Sequence, residues 1–275
     1  MRWKLAVIVF AICIASIASN GQGTSYLGFD RNEYPGDDQL SALHQDFAFI
    51  GYWLNNPPGA RANTWTGRRA AVEKIGLGFL ILFNGKTYAQ LKGREAAELG
   101  SADGMEAVAS AKREGFPQHA VIFLDQEEGG RLLGPQKAYL YAWVDAVSSG
   151  GYRSGVYCSG IPSTESSGET VVTADDIVKN AAGRHIILFV ANDACPPSPG
   201  CVLSRDLTPG HSGTGAAEIW QFAQSPRRPN LTNSCGQSYA SDGNCYPPRV
   251  SPDSRLHVDL DVALTADPSH GRTQP

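Results

Sequence analysis

Eight short apolar segments place the strongest constraint on how this chain can fold. They lie at residues 25–30, 47–54, 78–85, 120–127, 154–160, 185–193, 217–224 and 257–263. Longer amphipathic segments with helix start and stop residues separate most of them, at 37–46, 64–76, 101–115, 135–151 and 173–183. This alternation is typical of a parallel sheet covered by helices.

The last two connections between apolar segments have a different composition. Residues 194–216 and 225–256 are rich in Pro, Gly, Ser and Asn, which predicts ordered loops instead of helices. The sequence therefore predicts an α/β fold, a (β/α)8 TIM-type barrel in which some late helices are missing or replaced by disulfide-bearing loops. Because no repeat or composition break marks a second domain, we expect one barrel over residues 24–265 and a flexible tail over 266–275.

The start of the chain predicts secretion. Arg2 and Lys4 precede a short apolar run, and small residues ending at Ser19 follow it. The run is too short for a comfortable membrane span and no basic flank follows, so we expect residues 1–19 to be a cleaved signal peptide, with no stable membrane insertion of the secreted protein. The net charge of −4, without a strongly basic stretch, argues against a nucleic-acid partner.

Five cysteines follow the expected signal peptide, and an oxidising compartment favours disulfides among them. Cys195 and Cys201 bracket a short proline-rich loop, and Cys235 and Cys245 bracket a loop of turn residues. We expect two local disulfides, one in each loop. Metal binding is the alternative, but neither pair has tight ligand spacing, and we expect no metal or other cofactor. Cys158 is left over and is expected to be a buried thiol.

Carboxylates are concentrated at the predicted strand ends, where TIM-type barrels form their active sites. Side chains alternate along a strand, so Asp125 and Glu127 share one face and Glu128 points the other way. A single acid is most simply a helix cap or the partner of an arginine, which is our interpretation of Asp193. Several acids at one end of a barrel repel one another and raise at least one pKa, which favours a functional site over this simpler explanation. The acids concerned are Asp30, Asp125, Glu127 and one or both of Asp259 and Asp261.

Paired carboxylates are the groups that glycoside cleavage requires. One gives a proton to the leaving oxygen while the other attacks or stabilises the developing cation. Alternate residues of a strand stand roughly 6.5–7 Å apart, which leaves both retaining and inverting mechanisms open. Aromatic residues near the strand ends could stack on sugar rings. We interpret Phe83 as core, whereas Trp53 and Trp220 are each followed by polar amides that could bind hydroxyls.

The segments "GFD", "LDQE", "IWQFAQ" and "VDLD" resemble the family 25 glycoside hydrolases, lysozymes of the muramidase type. The chain more closely resembles the glycoside hydrolase-like domain of unknown function 1906, through "GFDRNEYPGD", "GYWLNNPP", "FLDQEEGGR", "GVYCSGI", "ANDACPPSPGC" and "WQFAQSPRRP". This resemblance implies a catalytic role for Asp30, Asp125 and Glu127, with Glu127 in the proton-donor position. It also implies that Trp220 and one of Asp259 or Asp261 form the wall of the cleft.

We therefore expect a secreted, monomeric glycoside hydrolase that acts on cell-wall polysaccharide, either peptidoglycan or a related N-acetylhexosamine glycan. The alternative is a non-catalytic glycan-binding barrel of the cell envelope, because both functions would keep the acids. As general acid, Glu127 would have a pKa raised by the neighbouring Asp125 and Asp30. The expected substrate-binding residues are Trp53, Tyr157, Asn192, Trp220, Gln221, Asp259 and Asp261.

Overall fold

The computed structural model describes residues 25–273, so the expected signal peptide lies outside the described residues. Its strands are β1 (Tyr26–Asp30), β2 (Phe49–Trp53), β3 (Gly78–Asn84), β4 (Val121–Asp125), β5 (Arg153–Ser159), β6 (Ser163–Thr164), β7 (Thr170–Val171), β8 (Ile187–Ala191), β9 (Ala217–Ala223) and β10 (Asp259–Ala263). Its α-helices are α1 (Leu40–Leu43), α2 (Arg69–Ile75), α3 (Tyr88–Leu91), α4 (Ala96–Glu114), α5 (Gly134–Ser149) and α6 (Thr173–Lys179).

Eight of these strands close into a barrel in the order β1-β10-β9-β8-β5-β4-β3-β2, while β6 and β7 form a separate hairpin. Each of the eight apolar segments supplies one barrel strand, which confirms the expected TIM-type barrel. Strands β2, β4 and β8 are buried along their whole length. Strands that are covered on both faces read as continuous apolar runs instead of alternating ones, and this explains the sequence pattern.

The two longest helices follow the start and stop signals in the sequence. Helix α4 ends at Gly115, whose φ of +79° gives the left-handed turn that glycine adopts most easily, and Lys112 and Arg113 lie in its last turn. It begins at Ala96, earlier than the expected start at residue 101. Helix α5 has Pro135 in its first turn, where a proline costs no hydrogen bond.

The last barrel strand runs in the opposite direction from the one that a fully parallel sheet would require. Strand β10 pairs antiparallel with both β1 and β9, whereas the other neighbouring barrel strands are parallel. The connection 224–258 contains no α-helix to carry the chain back to the other end of the barrel, so the chain re-enters from the end at which β9 stops. Asp259, the first residue of β10, therefore lies opposite Asp30, the last residue of β1.

No α-helix follows β8 in the described part of the chain, as the composition of the late connections predicts. These connections form two long loops that cover the barrel in place of helices. They lie against each other, as shown by the hydrogen bond from the Cys195 N–H to the Leu231 carbonyl, at 2.9 Å. They contain short 3-10 turns at Pro209–Ser212, Asn233–Ser238 and Pro252–Ser254.

The disulfides join the two late loops to each other, so the expected pairing within each loop is wrong. The bonds are Cys195–Cys235 and Cys201–Cys245, with Cα–Cα distances of 5.9 and 5.3 Å. A disulfide between the two loops stabilises the fold more than a disulfide within one loop, because it closes a longer segment of the unfolded chain. Closing a chain segment of about 40 residues restricts the unfolded state by about 4 kcal/mol in the chain-entropy description. Cys158 is a free, buried thiol, as expected.

The segment 266–273, where the sequence suggests a flexible tail, is joined to the barrel by hydrogen bonds. It packs against the amino ends of β3 and β4, at the end of the barrel opposite to Asp30. The Ser269 N–H donates to the Phe79 carbonyl, and the Ser269 carbonyl accepts from the Val121 N–H, both at 2.8 Å. These bonds satisfy backbone groups at the strand starts, which would otherwise lack partners in the barrel.

We predict that Asp267→Ala destabilises the fold although it lies in the segment that the sequence suggests is a tail. The Asp267 carboxylate accepts the backbone N–H groups of Phe79, Gly271 and Arg272 at 2.7, 3.2 and 3.0 Å. Leaving these donors without an acceptor should lower the free energy of unfolding by about 3 kcal/mol in a urea titration. The exposed Asp206 is the matched control, and an Asp267→Ala variant as stable as Asp206→Ala would contradict the prediction.

Candidate active site

Four carboxyl groups line one cavity of about 250 Å3 at the end of the barrel where β1 and β4 stop. Asp30 and Asp125 are the last residues of these two strands, Glu127 follows two residues later, and Asp259 begins β10. We call this space the acidic cavity. Three further residues expected from the sequence also line it, namely Trp53, Tyr157 and Gln221. The antiparallel direction of β10 is what brings Asp259 to this end.

The alternation predicted after β4 is present. Glu127 lines the acidic cavity with Asp125. Glu128 points the other way, where its carboxylate accepts the Tyr88 N–H at 2.6 Å and the Gln136 Nε2 at 2.8 Å. These two bonds tie the turn after β4 to α3 and α5. The position of Glu127 is thus fixed by the neighbour that does not face the cavity.

A second cavity of about 480 Å3 adjoins the first. The two cavities share Glu127, Tyr157 and Gln224 as lining residues. We call the second space the side cavity. We call the two cavities together the cleft, and Glu127 lies on the boundary that they share.

A chain of hydrogen bonds orients the polar groups at the bottom of the acidic cavity. Gln221 Nε2 donates to the Asp30 carboxylate at 2.8 Å, so the Gln221 amide oxygen must accept. It accepts from the Tyr157 hydroxyl at 2.7 Å and from Gln224 Nε2 at 2.8 Å. Gln224 Nε2 also donates to the Tyr157 hydroxyl oxygen at 3.0 Å, which leaves the Gln224 amide oxygen as an acceptor. The Asp30 oxygen that accepts from Gln221 therefore determines the orientation of both amides.

Burial raises the pKa values of the carboxyl groups in the cavity, to different extents. The pKa of Asp30 is raised to about 6 by burial, although the bond from Gln221 opposes the rise. The pKa of Asp125 lies well above its usual range because of burial and the charges of Glu127 and Asp30, and its Oδ1 has no hydrogen-bond partner among the described residues. The pKa of Glu127 is raised by burial and then by the charge of Glu128. The charge of Glu127 in turn raises the pKa values of Asp125 and Asp30, so the three acids influence one another.

Asp261 lies one layer below the cavity, opposite Gly28, and is fully buried. Its pKa lies well above the usual range because of burial and the charges of Asp30 and Asp259. No N–H or hydroxyl group in the described part of the chain donates to its carboxyl oxygens, and a protonated Asp261 can donate a hydrogen bond to the Asp30 carboxylate. The structure thus places Asp261 beneath the site and not in the substrate-binding position that the sequence suggested.

Two other expected substrate-binding residues also lie outside both cavities. Trp220 is fully buried, and its Nε1 donates to the Asn192 carbonyl at 2.8 Å. Because Gln221 faces the interior of the barrel, its neighbour Trp220 must face outward. The Asn192 side chain is used locally, with Nδ2 donating to the Ser212 carbonyl at 2.7 Å. Both residues stabilise the loop after β8, and neither lines a cavity.

The sequence of the chain matches a family defined by the Rv2525c-like, glycoside hydrolase-like domain, over residues 43–192. The match spans 150 of the 275 residues and includes Asp125 and Glu127. The chain belongs to this family. Compared by sequence with curated proteins, it has no match.

Solved structures with the same fold extend the likeness to most of the chain. An uncharacterized protein from B. stearothermophilus has a TM-score of 0.55 at 18% identity, with 86% of this chain and 95% of that chain covered. The Tat-secreted protein Rv2525c of Mycobacterium tuberculosis, in complex with HEPES, has a TM-score of 0.53 at 15% identity, with 90% and 98% covered. A family 25 glycosyl hydrolase from Bacillus anthracis reaches 0.48 at 11% identity, with 87% and 89% covered.

Several cavity residues were not predicted from the sequence. Gln224 is the first residue after β9, and its role depends on contacts with Tyr157 that the sequence does not show. Asn32 and Pro58 come from loops, and Phe189 comes from the middle of β8. The expected core role of Phe83 is confirmed, since it is buried against Trp143.

Two features are absent from the part of the chain that the structure describes. Within residues 25–273, no three His, Cys, Asp or Glu side chains are grouped so that they could hold a metal ion. No helix in the same range is long and apolar enough to cross a membrane.

We predict that Asp261→Asn stabilises the protein more at pH 7 than at pH 4. A carboxyl group with a raised pKa in the folded state favours folding while it is protonated, and this contribution is lost as the pH rises towards the raised pKa. Asn removes that loss, so the gain over wild type should grow by roughly 1 kcal/mol per pH unit above pH 4. Urea titrations at several pH values measure it, with Asp206→Asn as the exposed control. A gain that does not depend on pH would contradict the raised pKa.

Proposed function

We propose that the protein is a secreted glycoside hydrolase that cleaves a cell-wall type polysaccharide with Asp30, Asp125 and Glu127. The position of Glu127 carries the proposal, because this carboxyl lies where two adjoining cavities meet. A sugar in each cavity would place the connecting glycosidic oxygen beside Glu127. That oxygen is the atom that a general acid must protonate.

The environments of the carboxyl groups suit different roles in this reaction. Glu127 has a raised pKa and an exposed position, so it can hold a proton and regain one from water. Asp30 is oriented by Gln221 and is ionised above pH 6, which suits a nucleophile or a stabiliser of the developing cation. Asp125, with its higher pKa, stays neutral and can donate a hydrogen bond to a sugar oxygen.

The remaining lining residues suit a carbohydrate ligand. Trp53 and Tyr157 present aromatic surface in the acidic cavity, and Gln221 and Asp259 provide amide and carboxyl groups for hydroxyls. We therefore assign them substrate-binding roles. The Trp53 ring is held in place by the bond from its Nε1 to the Arg31 carbonyl, at 3.1 Å.

Location and substrate class rest on several separate observations. Two disulfides favour an oxidising compartment, and a protein of the same fold is described as Tat-secreted. The family is defined by a glycoside hydrolase-like domain. A secreted enzyme with this site and this resemblance to muramidases would act on peptidoglycan or a related N-acetylhexosamine glycan.

We predict that Glu127→Gln lowers turnover of purified cell walls or chitooligosaccharides at least about a hundredfold, the usual scale for losing a general acid. Oligosaccharide affinity should be nearly unchanged, because Gln keeps the shape and hydrogen bonding of the side chain. Asp125→Asn should also slow turnover. Glu128→Gln is the matched control and should have a far smaller effect, because its side chain faces α3 and α5.

Turnover is measured as released reducing ends, and affinity by calorimetry on the same variants. Loss of turnover on Glu128→Gln, with Glu127→Gln active, would contradict the assignment of the acid. A wild-type protein that binds oligosaccharide but never releases reducing ends would instead support the glycan-binding barrel.

The pH profile provides a second test of the assignment. Turnover needs Asp30 ionised and Glu127 protonated, so kcat/KM should be bell-shaped, with one limb near pH 6 from Asp30 and the other from the raised pKa of Glu127. Gln221→Leu removes a hydrogen bond that favours ionised Asp30, and it should shift the limb near pH 6 to higher pH. Tyr157→Phe keeps the Gln221 bond to Asp30 and should leave the limb in place. If Gln221→Leu also leaves this limb of the pH profile in place, Asp30 is not the group that titrates there.

A further inference from the structure

An arginine on the wall of the side cavity is held by a fully buried acid. Arg228 Nε donates to Asp193 Oδ2 at 3.1 Å, and Nη2 donates to Asp193 Oδ1. The Asp193 side chain is fully buried, whereas the Arg228 side chain remains 41% exposed. The pairing of Asp193 with an arginine confirms its expected structural role. It does not explain why the arginine is half exposed to a cavity.

The backbone around Arg228 is also fixed. Its carbonyl accepts the Leu231 N–H at 2.9 Å, and the Thr232 N–H and hydroxyl at 3.0 and 2.9 Å. The Leu231 carbonyl accepts from the Cys195 N–H, and Cys195 is disulfide-bonded. The guanidinium is therefore ordered before any ligand arrives, which lowers the entropic cost of binding.

One part of the guanidinium is left for a ligand. Asp193 takes up Nε and Nη2, and Nη1 donates to no acceptor in the part of the chain that the structure describes. Arg228 is also the cationic member of the side-cavity lining, which otherwise consists of Glu127 and uncharged residues. Guanidinium groups bind carboxylates more strongly and more directionally than they bind neutral oxygens.

The charge distribution favours an anionic group at Arg228 and nowhere else in the cleft. The acidic cavity is lined by four acids and by no Lys or Arg, so a ligand carboxylate there would meet the charge of ionised Asp30 without a cation to bind. The side cavity, at about 480 Å3, is within the range of ligand sites. A sugar in the side cavity would be adjacent to the one in the acidic cavity.

We propose that the side cavity is a subsite for a sugar that bears a carboxylate, with Arg228 as the residue that binds this group. The proposal rests on the proposed function and narrows its substrate class to acidic glycans. The carboxylate could belong to a uronic acid or to a lactyl ether on an N-acetylhexosamine, and the two are separated by experiment. If Arg228 serves only to neutralise Asp193, ligand charge should make no difference.

Calorimetry with three tetrasaccharides tests the proposal, using the Glu127→Gln variant so that no ligand is cleaved. They are neutral chitotetraose, alternating N-acetylglucosamine and glucuronic acid, and alternating N-acetylglucosamine and N-acetylmuramic acid. At least one acidic ligand should bind about tenfold more tightly than chitotetraose at low salt, and the difference should shrink as salt is added. The ligand that shows it identifies the source of the carboxylate. Equal affinity for all three would overturn the proposal.

Removing the ion pair as a unit tests the role of Arg228 without leaving a buried charge. Asp193→Asn combined with Arg228→Gln should reduce the preference for the acidic ligand to about one. Asp145→Asn combined with Arg184→Gln is the matched control, since that pair has the same side-on geometry, at 2.7 and 2.8 Å, outside both cavities. It should retain the full preference.

Arg228→Lys provides the test if the double variant does not fold. Lysine keeps a positive charge near Asp193 but lacks the planar set of N–H donors of a guanidinium. The preference for the acidic ligand over chitotetraose should therefore fall severalfold. A preference that survives in every Arg228 variant would overturn the proposal. If chitotetraose binds and is not distinguished from the acidic ligands, only the subsite is wrong. If none of the three ligands binds, the proposed function fails and the subsite fails with it.

Discussion

The pairing of β1 with an antiparallel β10 is the constraint on which the site depends. It places Asp30 directly opposite Asp259, with Asp261 one layer below, in a part of the barrel from which water is largely excluded. Carboxylates this close and this buried cannot all ionise near neutral pH. Burial is the largest cause of the raised pKa of each of these groups, and their mutual charges add to it. The site therefore contains neutral and charged acids side by side.

The direction of β10 in turn depends on the two late loops. An α-helix after β9 would have returned the chain to the other end of the barrel and produced a parallel last strand. The loops that replace late helices are held by Cys195–Cys235 and Cys201–Cys245 and by the Asp193–Arg228 ion pair. The elements that substitute for missing helices thus also build the wall of the side cavity. Stability and ligand binding depend on the same few contacts in this half of the barrel.

Much of this arrangement could be predicted from the sequence, because the signals concerned are local. Apolar runs identified all eight barrel strands, and the alternation after β4 separated Glu127 from Glu128. The pairing of cysteines and the direction of β10 could not be predicted, since both depend on how distant segments meet. The resemblance and the polar amides after Trp220 suggest that its ring lines the cleft, but strand alternation allows only one of Trp220 and Gln221 to face inward.

The structure also bears on why Glu127, and not Asp125, suits the role of general acid. Asp125 has the more strongly raised pKa, but it is only 7% exposed and lies at the bottom of one cavity. A general acid must contact the leaving oxygen and regain its proton from water in every cycle, and it works best with a pKa near the working pH. Glu127 is exposed and borders both cavities, and Glu128, outside the cleft, contributes to its raised pKa. A neutral Asp125 beneath it adds no second negative charge, so it does not raise the pKa of Glu127 further, and Glu127 can still transfer its proton to the leaving oxygen.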